Sequence, residues 1–144
     1  GPTGANSSYS TDGGNQASFV YHDPAAAVAG TAPQPLQFDE SGSNIVIWAE
    51  SNSVGSGFRA FVYYTLDGSF PEGAGGIGRG TTRAVEMNYQ RSVGGKDWWS
   101  SAGISKPAPG TTFTYKIGFY KTGASSQWPS GPTEVTRKKN MMTT

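Results

Sequence analysis

Residues 111–121 read Thr111-Thr112-Phe113-Thr114-Tyr115-Lys116-Ile117-Gly118-Phe119-Tyr120-Lys121. In an extended chain Phe113, Tyr115, Ile117 and Phe119 share one face, and Thr114, Lys116 and Tyr120 the other. A two-residue period held this long marks a half-buried antiparallel strand.

The same pattern recurs on the N-terminal side. Residues 82–89 place Val85, Met87 and Tyr89 on one face and Ala84, Glu86 and Asn88 on the other. Residues 44–50 and 59–65 are compact and rich in β-branched and aromatic side chains, and Leu66-Asp67-Gly68-Ser69 closes the second with a turn. Weaker strand signals lie at 18–21, 36–38, 98–99 and 134–137. A helical period is absent over any useful length. Asp23 to Val28 reads as one helical turn at most, with Pro24 at its first position. Seven or eight short strands with turns between them predict an all-β, antiparallel, two-sheet sandwich. Its expected core is Ile45, Ile47, Val62, Val85, Met87, Phe113, Tyr115, Ile117 and Phe119.

A chain of 144 residues suits one domain. Residues 1–16 are polar and rich in Gly and Ser and read as a linker. Residues 17–138 form the expected module, and 139–144 a tail leading to a following domain. Net charge is +1, too little for binding nucleic acid across a face. No apolar run approaches the ~18 residues of a membrane span. With no Cys, thiolate chemistry has no residue to use, and with His22 as the sole His, zinc sites and His-based triads are nearly excluded.

Gly73-Ala74-Gly75-Gly76-Ile77-Gly78 matches G-x-G-x-x-G. The nucleotide-binding form of that pattern needs a strand before it and a helix after it. Here β-rich sequence follows, so the segment reads as a flexible Gly-rich loop. The acids are sparse, and no two are placed to act as a general acid and base across a cleft, so no enzyme is expected. Asp67 beside Gly68 reads as a turn former first and a calcium ligand second; no other cofactor is expected.

The aromatic residues carry the functional signal. Trp98 and Trp99 are adjacent, so in an extended segment one indole enters the core and the other faces out. Trp128 stands in a polar loop, Ser125-Ser126-Gln127-Trp128-Pro129-Ser130. Flat rings in polar surroundings suit sugars, whose C–H faces stack on them while hydroxyls bond nearby polar groups. The candidate stacking residues are Trp98, Trp99, Trp128, Tyr120 and Tyr64; Lys96, Asp97 and Gln127 are the candidate hydrogen-bonding partners. The competing reading packs these indoles inside the domain or against a neighbour.

Two stretches carry a resemblance. Pro107 to Tyr115 resembles the corner of fibronectin III and other immunoglobulin-like domains, which implies that the Tyr115 hydroxyl bonds upstream backbone. Val62-Tyr63-Tyr64-Thr65-Leu66-Asp67-Gly68-Ser69 is similar to a turn signature of immunoglobulin-like accessory modules in bacterial carbohydrate-active enzymes. The longer pattern through Asp97-Trp98-Trp99 to Ile117 resembles β-sandwich modules found beside alpha-amylase-type domains. This resemblance implies a secreted, non-catalytic carbohydrate-binding module, tethered to a glycoside hydrolase and taking an α-glucan such as starch or glycogen. The alternative is a fibronectin III-like spacer or interaction domain with no sugar ligand.

Overall fold

The computed structural model describes residues 20–30, 33–52, 57–121 and 134–143. Among them the secondary structure is strand and turn, with no α-helix. The strands are β1 (Val20–Tyr21), β2 (Phe38–Asp39), β3 (Asn44–Asn52), β4 (Phe58–Thr65), β5 (Gly73–Ala74), β6 (Ile77–Gly78), β7 (Arg83–Val93), β8 (Lys96–Ser101), β9 (Ile104–Ser105), β10 (Thr112–Lys121) and β11 (Glu134–Thr143). All pairings are antiparallel, in agreement with the alternation of the sequence.

Nine strands form one sheet in the order β1-β3-β8-β7-β4-β10-β11, with β2 and β9 also paired to β3. β3 and β10 are far apart along that path, yet their neighbourhoods meet. Phe38 of β2 lies edge-on to Phe113 at 5.8 Å and 5.7 Å from Tyr115. The sheet therefore curls, and its inward faces enclose one core, as in an all-β sandwich. That core contains Ile45, Ile47, Val62, Met87, Phe113, Tyr115, Ile117 and Phe119, all buried, with Val85 packed at its margin. Period-2 patterning was sufficient to find them because each strand has one face inside.

His22 fastens the curl. Its Nδ1 lies 2.6 Å from the Trp48 carbonyl, and its Nε2 lies 2.6 Å from the Tyr115 hydroxyl. A carbonyl only accepts, so Nδ1 carries the proton; in the neutral ring Nε2 then accepts from Tyr115. The Tyr115 hydroxyl, expected to bond upstream backbone, here bonds a side chain from another part of the sheet.

Three local expectations are corrected. Residues 23–26 form a turn, not a helical turn: Ala26 N–H donates to the Asp23 carbonyl, and the Asp23 carboxylate accepts from Ala25 N–H. The strand expected at 134–137 continues to Thr143 and pairs with β10 along its length, so residues 139–143 belong to the sheet and not to a tail. The Gly-rich segment is a small β5–β6 hairpin laid on the outer face of β4 and β10, not a loose loop. A Cβ at Gly76 would fall 2.6 Å from Phe61, and one at Gly73 would fall 2.7 Å from Tyr63. Glycine is needed there for close approach to rings, not to phosphate.

Candidate functional site

The site residues expected from the sequence separate into three groups. The first group is buried. Tyr64 points into the core and stacks on Phe113 at 5.1 Å. Tyr120 lies on the outer face, as its parity predicts, but it stacks on Phe61 at 6.0 Å and is covered by the β5–β6 hairpin. Trp99 faces the core and Trp98 the outer side of β8, so the two do diverge. Both are nonetheless shielded, at 5% and 3% exposure.

The reason for Trp98 lies in the described part of the chain between β1 and β2, residues 22–30 and 33–37. It passes over the outer face of β7 and β8, where Gly30 seats against Val93 and Arg91. Val28 of this loop is fully buried although it stands outside the main core. A stacking role for Tyr64, Tyr120, Trp98 or Trp99 is therefore not available to them as they lie. Trp128 and Gln127, the second group, lie outside the described residues.

The third group, Lys96 and Asp97, sits at the β7–β8 hairpin, and here the structure assembles a polar and aromatic surface. On the outer side Lys96 Nζ donates to Asn52 Oδ1 at 2.6 Å and stands 4.5 Å above the Tyr21 ring. On the opposite side Ser92 Oγ donates to the buried Asp97 carboxylate at 2.6 Å, and the Tyr89 hydroxyl lies 3.1 Å from Ser92 Oγ. Since Ser92 gives its proton to Asp97, Tyr89 donates to Ser92.

Tyr89 belongs neither to the expected core residues nor to the candidate site residues. Its parity is that of Val85 and Met87, yet the residue is 52% exposed. It stands edge-on to Trp99 at 6.0 Å, and Trp99 is held in turn by a 3.0 Å bond from Nε1 to Ser51 Oγ. A bulge between Tyr89 and Arg91 re-aims this part of β7. The ring is thus fixed by packing along one edge and by a hydrogen bond at its tip. Comparison with protein families, with curated proteins and with solved structures finds no match for the chain.

The remaining candidate chemistry is modest. Among the described residues no three His, Asp or Glu side chains gather as a metal ion would require. Asp67 acts in its turn: it accepts from the Ser69 hydroxyl and the Ser69 backbone N–H. Those bonds, the Ser69 hydroxyl foremost and Thr81 next, lower its carboxyl to about 2.

Proposed function

We propose that this chain is a non-catalytic carbohydrate-binding module with an immunoglobulin-like sandwich fold, carried by a secreted glycoside hydrolase, and that Tyr89 is its stacking platform. One observation carries the reading: a half-exposed ring held in place by Trp99 and Ser92. A ring ordered beforehand loses little freedom when a sugar lies on it. Ser92 and Asp97 offer polar atoms on the same side, while Lys96, Asn52 and Tyr21 lie on the other side of the same hairpin. Trp128 and Gln127 enter on their sequence context alone. The resemblance to amylase-associated modules favours an α-glucan. A shallow site of this kind binds weakly, at about micromolar to millimolar Kd. Tethering to an enzyme converts that weak affinity into a raised local substrate concentration.

Retention on insoluble starch, β-glucan, chitin and cellulose tests the reading. The intact chain is expected to be retained on starch, with retention lost in Tyr89→Ala and reduced in Trp128→Ala. Unchanged retention of Tyr89→Ala removes Tyr89 from the site. Absence of retention on all four supports removes the carbohydrate reading.

The burial of Trp98 and Trp99 favours a second reading, the fibronectin III-like spacer. Packing alone accounts for both indoles. The spacer predicts that no polysaccharide retains the chain and that Tyr89→Ala costs only the stability supplied by its contacts with Trp99 and Ser92.

A further inference from the structure

Around Tyr89 the hydrogen bonds run one way. The Ser92 hydroxyl donates its single proton to Asp97 Oδ1 at 2.6 Å. Asp97 is 5% exposed, and a carboxylate has only lone pairs to offer. Ser92 Oγ is then left as an acceptor, and its 3.1 Å contact with the Tyr89 hydroxyl uses the Tyr89 proton. A second line of bonds lies beside the first. Trp99, edge-on to Tyr89, donates from Nε1 to Ser51 Oγ at 3.0 Å, and Ser51 Oγ donates to the Asn52 carbonyl at 2.9 Å. Both lines run inward and end on an acceptor with no proton to return.

The bulge in β7 is what builds the first line. Tyr89 and Ser92 have opposite parity, so in a regular strand they would point to opposite faces. Here Tyr89 is paired with Trp99, the register shifts between Tyr89 and Arg91, and Ser92 is paired with Asp97. The extra residue turns Ser92 to the side of Tyr89, Asp97 and Trp99. Asp97 is also paired with Ser51 on β3, so its backbone is held from both neighbouring strands.

What this leaves at the surface is oxygen with lone pairs. Tyr89 is 52% exposed and Ser92 is exposed beside it, and the one hydroxyl proton of each is already spent. Turning the Tyr89 proton outward gives up its bond to Ser92. Turning the Ser92 proton outward takes a donor from a buried carboxylate, which costs more.

We infer that Asp97, acting through Ser92, is a positioning residue that makes the Tyr89 platform an acceptor, so that the site selects sugars presenting a free hydroxyl to the Tyr89 tip. The inference rests on the carbohydrate reading above and narrows its ligand. A sugar hydroxyl has a proton to give. The ether oxygen of an O-methylated sugar and the ionised carboxylate of a sugar acid have none, and find no hydroxyl donor at that tip.

Ring resonances of Tyr89 in the full chain provide the readout. Maltotriose and per-O-methylated maltotriose are titrated separately, and the ratio of their Kd values is taken. Methylation weakens contacts all over the sugar, but those losses are common to every variant and cancel when ratios are compared. The intact chain is expected to bind the methylated sugar at least about tenfold more weakly. In Asp97→Asn the amide can donate to Ser92, which frees the Ser92 proton for Tyr89 and the Tyr89 proton for the ligand. The ratio is expected to fall by about tenfold. Ser92→Ala releases the Tyr89 hydroxyl and lowers the ratio likewise, whereas Ser92→Thr keeps a hydroxyl there and preserves it. Ser92 is exposed, so its variants carry the test if thermal melting shows Asp97→Asn unfolded. A ratio unchanged in Ser92→Ala overturns the inference and leaves the platform standing. A ratio that falls equally in Ser92→Thr assigns the effect to shape and not to the proton, and overturns it as well. No shift of Tyr89 with either sugar in the intact chain overturns the platform itself, and this inference with it.

Discussion

Asp67 shows how one side chain can leave a mark on pH dependence. Its carboxyl sits at about 2 against an ordinary 3.8, because the folded turn supplies donors to the ionised form. A depressed value means that the ionised form stabilises the fold fully above the unfolded value. That contribution fades as pH falls from about 3.8 towards 2. Asp67→Asn removes the titration, so its stability is expected to change less than that of the intact chain across this acid window. Urea midpoints above and within the window measure it. Tyr89 makes a different point at the same scale. Tyr89→Phe keeps the ring and its edge contact with Trp99 but loses the donor to Ser92. Starch retention is expected to fall less in this variant than in Tyr89→Ala. Equal losses would mean that the hydroxyl, and not the flat face, does the binding.

At the scale of elements the β5–β6 hairpin is the clearest case. It covers Phe61, Tyr63 and Tyr120, and its Gly76 N–H donates to the Tyr63 hydroxyl at 3.0 Å. Gly76 also has φ of 86°, where a side chain is strained. Gly76→Ala is therefore expected to destabilise the domain by about 1–3 kcal/mol, from strain and from overpacking against Phe61. Denaturant unfolding tests this; a change within error would mean that the hairpin lifts freely. The hairpin also shows where sequence reading stopped. The alternation of Phe113, Tyr115, Ile117 and Phe119 was legible because a strand repeats its own burial every second residue. The cover over Tyr120 and over Trp98 comes from segments distant in the chain, and no local period encodes it. Outer-face aromatic residues therefore read as binding surfaces when they were second, smaller packing faces. The exposure of Tyr89 was equally hidden, because it depends on what covers the strand at that point and not on parity.

For the whole molecule, curling of the sheet makes contacts between its ends decisive. His22 joins the Trp48 carbonyl on β3 to the Tyr115 hydroxyl on β10, both at 2.6 Å and deep in the structure. His22→Ala removes both bonds and leaves the Trp48 carbonyl without this donor. A loss of about 1–3 kcal/mol is expected, read from thermal or denaturant midpoints. Tyr115→Phe is expected to cost less, since the imidazole then keeps its bond to Trp48. An order reversed between these two variants would place the joint elsewhere.

Strand β11 ends the sheet, and among the described residues it has a neighbour on one side only. A ten-residue border with idle peptide groups invites a second molecule to zip onto it. The sequence of that strand contains Arg137, Lys138 and Lys139 in succession. Pairing two copies of such a border would set one basic sequence beside another, and like charges brought strand to strand oppose it.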